Sequence, residues 1–160
     1  MQNIYQAPGS VVQSTRTGYA GFWRRFAAHI IDSLILMVGG AAIGRVIGSV
    51  LGTGSGMGAA KALAQIVSVI VVLVAALVLN WLYFTLFEAS ASQATLGKSA
   101  LGIVVTDESG QRISLGKANA RYWSKIVSSL ILMIGFLMAG FTEKKQGLHD
   151  MMAGTLVVLK

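Results

Sequence analysis

An aspartate, Asp32, lies inside a long apolar stretch near the start of the chain. An ionised carboxylate within a membrane helix costs about 3 kcal/mol on insertion scales, so such a residue is usually functional or paired inside the protein. Arg25 precedes Asp32 by seven residues, nearly two helical turns, so both lie on one helix face. His29 lies one turn from each of them. The spacing indicates either a proton- or ion-binding site or a buried polar link that fixes helix packing.

A polar residue also interrupts the second apolar stretch. Asn80 lies eight residues, about 12 Å along a helix, before Glu88. If the two stretches form antiparallel neighbouring helices, Asn80 and Asp32 lie at similar depth, and a polar layer of His29, Asp32 and Asn80 is expected. The alternative is that Asn80 binds a backbone carbonyl, since such bonds commonly join membrane helices.

Other motifs do not predict an enzyme, a metal or a cofactor. The chain has no cysteine and only two histidines, and His149 is followed directly by Asp150 without any zinc-binding spacing. Residues 95–99, Thr-Leu-Gly-Lys-Ser, end like a phosphate-binding loop but lack its first glycine. We therefore expect no catalytic activity, no metal site and no cofactor.

The composition predicts that the elements carrying these residues lie in a membrane. Hydrophobic residues make up 54% of the chain and charged residues only 12%, against about 25% in soluble domains. The net charge of +7 comes from basic residues at the ends of apolar stretches, which is typical of membrane flanks rather than of nucleic-acid binding. We therefore expect the lipid bilayer as a partner and no nucleic acid.

The apolar stretches predict an all-α membrane protein with two full transmembrane helices, at about residues 26–48 and 62–87. The 19 residues between Arg25 and Arg45 alone span about 28 Å, close to the hydrocarbon thickness. A third stretch, residues 126–141, is short for a span. It is predicted to be either a complete third span or a re-entrant hairpin that turns near Gly135. Residues 1–18 are polar and predict a flexible N-terminal tail.

The polar stretch between the second and third apolar stretches predicts a small cytoplasmic β-hairpin. Residues 101–106 are β-branched, 107–110 favour a turn, and 112–115 supply the second strand. An amphipathic helix with Lys117, Arg121 and Lys125 is expected to follow. Basic residues flanking the two spans place the N-terminus in the cytoplasm. A complete third span would put residues 144–145 outside, whereas re-entry would let residues 155–159 pair with 103–106.

A repeat of glycines occurs along the first predicted span and its extension. Glycine recurs every four residues, so the glycines form one stripe that lets another helix backbone approach closely: Gly40, Gly44, Gly48 and Gly52. The partner is either the second span or another copy of the protein, and a homo-oligomer is one of the two expectations.

Three segments together resemble the RDD family of membrane proteins. The segments are Gly21–Asp32, Thr95–Val105 and Leu148–Thr155, and the resemblance covers residues 19–160, which we take as one membrane domain. The family is named for one arginine and two aspartates, and the resemblance implies Arg25, Asp32 and Asp150 for these positions. It also implies a multi-pass protein of a bacterial inner membrane.

Two functions follow as hypotheses. The resemblance implies exchange of sodium, potassium or another monovalent cation for protons, and an acid with a nearby histidine could relay protons. Three helices enclose little room for a pathway, so transport would require an oligomer. The alternative is a non-transporting membrane interaction or assembly protein, whose basic helix binds a partner or anionic headgroups.

Overall fold

The computed structural model describes residues 18–51, 58–130 and 134–160. Residues 1–17 of the predicted tail and Gly52 of the glycine stripe lie outside the described residues. The elements, in chain order, are α1 (Phe22–Leu51), α2 (Ala59–Ala89), α3 (Leu96–Ala100), β1 (Ile103–Asp107), α4 (Leu115–Leu130), α5 (Ile134–Phe141), α6 (Leu148–Ala153) and β2 (Thr155–Leu159).

Two long apolar helices, α1 and α2, confirm the first two predicted spans as elements. Their spanning segments run over Phe22–Val50 and Ala59–Ala89, and only 6% of the most apolar window of each is buried within the protein. Each helix is about 45 Å long, which exceeds the hydrocarbon thickness of about 30 Å. Leucine, isoleucine and valine side chains cover both helices and face outward. Contact with lipid rather than with water is therefore favourable for these surfaces.

The third apolar stretch, residues 126–141, is described except for residues 131–133. Its described residues belong to the end of α4 and to α5, which has eight residues. The chain that follows α5 lies where α1 begins, because Arg25 of α1 donates to the Lys145 carbonyl and the Ala20 N–H donates to the Val157 carbonyl. The segment that follows α5 therefore returns to the start of α1, at residues 20–25.

The predicted strand at residues 101–106 is present as β1; the hairpin partner predicted at residues 112–115 is wrong, and the alternative pairing with residues 155–159 is confirmed. β1 pairs antiparallel with β2, in a register that joins Ile103 to Leu159 and Asp107 to Thr155. Residue 112 contributes only an isolated bridge to Thr106. The reason is that β2 is apolar and buried, whereas the Ser114 side chain accepts the Lys117 N–H at 3.2 Å and so begins α4.

A small core joins the sheet to the two long helices. Its buried residues come from α1, α2, the sheet, α4 and the segments just before α1 and α4: Ala20, Ala28, Ala89, Ile103, Val105, Ile113, Ala118 and Val157. Alanine predominates where the helices meet the sheet, so backbones approach closely there. We call residues 94–130 and 134–160 the end module, because they pack on the first turns of α1 and the last turns of α2.

Candidate functional site

Asp32 is fully buried and its carboxylate accepts three hydrogen bonds. Tyr83 of α2 donates its hydroxyl to Oδ1 at 2.7 Å, and Thr95 donates its hydroxyl to Oδ2 at 2.6 Å. The Gly97 N–H, in the first turn of α3, donates to Oδ1 at 2.7 Å. Asp32 therefore joins α1 to α2 and to the end module, and its two oxygens are both occupied by donors of the same chain.

The Thr95–Ser99 segment is built to approach Asp32 closely. The Thr95 side chain caps α3 by accepting the Lys98 N–H at 3.4 Å. Gly97 packs so tightly on α1 that a Cβ atom there would collide with the Ala28 carbonyl and lie 2.9 Å from the Asp32 Cγ atom. This segment, which resembles the end of a phosphate-binding loop, thus serves as a contact between α3 and α1.

Asp150 is the second buried acid and connects the end module to the start of α1. Arg25 donates to Asp150 Oδ2, which also accepts the Gly147 N–H at 3.1 Å. Arg121 of α4 forms an ion pair with Oδ1 at 2.7 Å. Arg25 also donates Nε to the Ala20 carbonyl at 2.8 Å. Its carboxylate partner is therefore Asp150 and not Asp32, which lies on the same face of α1.

A third buried acid, Glu88, lies in the last turn of α2. Lys98 of the end module donates to Oε1, and Arg121 donates to Oε2 at 3.2 Å. Lys125 lies 3.7 Å from Oε1 and 4.4 Å from the centre of the Phe84 ring. We call the residues around these two acids the charged network: Arg25, Glu88, Lys98, Arg121, Lys125 and Asp150.

Sequence reasoning did not predict Glu88 and Lys98 as site residues, and it placed Arg121 and Lys125 on an amphipathic basic helix that would bind a partner or anionic headgroups. The structure directs Arg121 and Lys125 inward, and of the three basic residues of that helix only Lys117 is exposed. A signal was present: Arg121 and Lys125 are four residues apart on one helix face, and Glu88 is the acid that ends the second apolar stretch.

Burial and neighbouring charges shift the pKa values of the acidic and basic groups of the end module in opposite directions. Burial alone would raise the pKa of Asp150, but Arg121 and Arg25 hold that pKa well below its usual range. Burial lowers the pKa of Lys98 to about 7, although Glu88 works against this shift. Burial lowers the pKa of His149 to about 3, so this histidine is neutral at pH 7 and its contact with Asp150 is not an ion pair.

His29, Asp32 and Asn80, which were expected to form one polar layer, each contact different residues. Asn80 accepts the Tyr122 hydroxyl at 2.9 Å, so it joins α2 to α4 by a side chain rather than by a backbone carbonyl. The His29 ring lies 6.0 Å from the Phe84 ring. Within the described ranges, no three histidine, aspartate or glutamate side chains are placed to hold a metal ion.

The glycine stripe faces α2 at one position. A Cβ atom on Gly44 would lie 3.6 Å from Val72 of α2, whereas one on Gly40 or Gly48 would have no atom within 4 Å. The stripe therefore contributes a single contact between the two long helices, and its other two described glycines are open.

The chain thus has two exposed apolar helices, and buried ion pairs join the end module to them. This is the architecture of a membrane protein in which most charged residues lie at one end of the long helices. Residues 19–154 match the RDD family, and the chain belongs to that family. It is 39% identical over 148 residues to the protein of Bacillus subtilis (strain 168) named "Uncharacterized protein YxaI", which covers 88% of this chain and 97% of the relative. No solved structure gives a significant match.

The match with the family includes the three residues that the resemblance implied. Arg25, Asp32 and Asp150 all lie within residues 19–154, and each joins α1 to another part of the chain. The arginine and one aspartate bind each other, and the other aspartate binds α2 and α3 independently.

Proposed function

We propose that this RDD-family protein is a non-enzymatic, non-transporting membrane interaction or assembly protein. Its two spanning helices hold the end module at one face of the bilayer and associate with other copies of the chain. The observation that carries this proposal is that every carboxylate oxygen of Asp32, Glu88 and Asp150 lies within hydrogen-bond or ion-pair distance of a donor from the chain itself.

Carboxylates whose oxygens already have partners within the protein favour a fixed structure over a transport pathway. A carboxylate that carries a proton or cation across a membrane has to bind and release it in turn. For Asp32 to bind a proton or a cation, its carboxylate would have to give up the hydrogen bonds to Tyr83, Thr95 and Gly97. Each hydrogen bond to a charged group contributes about 1.5–3 kcal/mol. The same bonds are well suited to hold the end module in one position.

The distribution of charge supports a cytoplasmic position for the end module. Of the 13 lysines and arginines, Arg45 and Lys61 lie toward the opposite ends of α1 and α2, and Arg16 lies outside the described residues. The other ten belong to the end module or to the adjoining first turn of α1. An excess of basic residues is typical of the cytoplasmic side.

Ion flux and association are the two measurements that test the proposal. In sealed vesicles with an imposed proton gradient, we expect that sodium or potassium does not collapse the gradient when the protein is present. A flux that the wild-type protein supports and that Asp32→Asn abolishes, with unchanged unfolding, would contradict the proposal.

The absence of cysteine makes association between copies easy to measure. We expect Gly40→Cys to form disulfide-linked dimers in membranes, because Gly40 lies on the open part of the stripe. Val38→Cys is the matched control, since Val38 is exposed but lies on another face of α1. Equal cross-linking of the two variants would indicate random collision and not a specific interface.

A second candidate function, exchange of a monovalent cation for a proton in an oligomer, is favoured by Lys98. Its pKa of about 7 lets it gain and lose a proton near neutral pH beside Glu88. If the vesicle experiment detects exchange, Lys98→Met should abolish it, and Lys98→Arg should remove its dependence on pH near 7. Lys117→Met, which alters an exposed lysine, is the control and should leave exchange unchanged.

A further inference from the structure

A groove of about 870 Å³ lies between the start of α1 and α5, on the outside of the end module. We call it the α1–α5 groove. Its volume falls in the range of about 300–1,000 Å³ that is typical of ligand sites. Phe22, Phe26, Leu137 and Phe141 make its lining mainly apolar, and Gly140 leaves space along its floor.

Two cations that lack an acidic partner lie at the edge of the α1–α5 groove. Arg24 is exposed and Lys145 is half-buried, and neither has a carboxylate within ion-pair distance among residues 18–51, 58–130 and 134–160. Arg24 is next to Arg25, which pairs with Asp150, so adjacent arginines differ in role. The groove therefore combines an apolar interior with unpaired positive charge.

Lys145 is held in position by its backbone. Its φ of 50° is uncommon for a residue with a side chain. Its N–H donates to the Thr142 carbonyl at 3.0 Å, and its carbonyl accepts from Arg25 at 2.5 Å. The Lys145 ammonium donates to the Gly140 carbonyl at 2.9 Å, which keeps it above the groove.

The aromatic residues around the groove place it at the membrane interface. Trp23 is 77% exposed and Phe141 is 89% exposed, and Trp23 lies in the first turn of a spanning helix. Tryptophan is enriched where the hydrocarbon meets the headgroups. Phospholipids are the ligands that are abundant at this depth, and they combine a phosphate with apolar chains.

We propose that the α1–α5 groove binds an anionic phospholipid, with its phosphate between Arg24 and Lys145 and an acyl chain along Phe22, Leu137 and Gly140. Charge complementarity and the apolar lining support this occupant. The site adjoins the charged network at Arg25, which donates to the Lys145 carbonyl, and the proposal does not depend on whether the protein transports ions.

Lipid binding to the purified full-length protein in detergent micelles tests this proposal. Native mass spectrometry during titration with phosphatidylglycerol or phosphatidylcholine gives the affinity for the first bound lipid. We expect phosphatidylglycerol to bind more tightly. The double variant Arg24→Gln, Lys145→Gln should bind it about 30-fold more weakly, since each cation near an anionic surface contributes about fivefold.

Two further variants separate the groove from general charge attraction. Arg112→Gln with Lys144→Gln removes the same charge from exposed positions outside the groove lining and should leave phosphatidylglycerol binding unchanged. Gly140→Leu should weaken binding of both lipids, because the new side chain fills the groove while both cations remain. All variants should keep the wild-type unfolding transition.

Three results would overturn the proposal. An equal loss of affinity in both double variants would show that net charge alone attracts the lipid. Unchanged binding by Gly140→Leu would show that no acyl chain enters the groove. Displacement of the bound lipid by millimolar inorganic phosphate, or a dimer that retains no lipid, would indicate free phosphate or a second copy of the chain as the occupant.

Discussion

The role of Asp32 as a structural acid predicts different effects for two substitutions. Asp32→Asn keeps an acceptor that can receive the Tyr83 hydroxyl and the Gly97 N–H, and its new NH2 group can donate to the Thr95 hydroxyl. Asp32→Ala removes all acceptors and leaves these three donors without a partner inside the protein. The two variants therefore separate loss of charge from loss of hydrogen bonding.

The expected free energies of unfolding follow from these contacts. Asparagine converts three charge-assisted bonds into neutral ones, which costs about 2 kcal/mol, and this loss is partly offset because a buried charge no longer has to be desolvated. Alanine leaves the buried Thr95 hydroxyl and Gly97 N–H and the half-buried Tyr83 hydroxyl unpaired at about 1–3 kcal/mol each, so about 5 kcal/mol is expected. Total stabilities are about 5–15 kcal/mol, so the alanine variant should be close to unfolding.

Reversible unfolding in mixed detergent micelles, followed by tryptophan fluorescence, measures this difference. Ser33→Ala is the control, because Ser33 is the exposed neighbour of Asp32 on α1 and should change the free energy of unfolding by less than about 0.5 kcal/mol. An Asp32→Ala protein as stable as Asp32→Asn would refute the view that hydrogen bonding, rather than charge, is what Asp32 supplies.

Three further predictions concern other contacts of the fold. Gly97→Ala should destabilise the protein by more than about 3 kcal/mol, because its methyl group overlaps the backbone of α1, whereas Gly116→Ala in α4 should stabilise it by about 0.5–1 kcal/mol; both are measured by unfolding. Gly44→Leu should separate α1 from α2 in a distance measurement by spin labels, and Gly40→Leu should leave that distance unchanged, since only Gly44 faces α2. The folded pKa of Asp150 is lowered, so the stability that it provides is complete above the usual aspartate pKa of about 3.9 and is lost as the pH falls below it. Asp150→Asn should flatten this acid-side loss in a pH series and cost about 3–5 kcal/mol at pH 7, because Arg25 loses its counter-charge and the buried Arg121 keeps only Glu88.

The long helices could be predicted from the sequence because hydropathy acts over many neighbouring residues. The stretches around Asp32 and Asn80 are far more apolar than any water-facing surface, and both are helices in the structure. The third stretch was ambiguous for the same reason: its 16 residues satisfy hydropathy but not length. Its short helices are positioned by contacts with α1 that lie more than 100 residues away in the chain.

The contacts of the charged residues could not be predicted, because pairing depends on the position of distant segments. Arg25 and Asp32 share a helix face, and the nearest acid in sequence was the natural partner to expect. The partner of Arg25 is instead Asp150, 125 residues later, which reaches it through the turn that begins α6. By contrast, the sequence left two partners open for β1, and the pairing with residues 155–159 forms because β2 supplies a buried apolar strand.

The seven-residue spacing of Arg25 and Asp32 has a different meaning in the folded protein. Two turns place these side chains about 10 Å apart along one face of α1, and each binds a separate part of the end module. Arg25 binds Asp150 in the first turn of α6 and the Lys145 carbonyl before it, and Asp32 binds the start of α3. Two contacts at different heights fix both the distance and the rotation of a module relative to a helix, whereas one contact would leave it free to turn. The spacing is therefore the one expected of a helix that orients a module on its surface, and it does not require that the two residues touch.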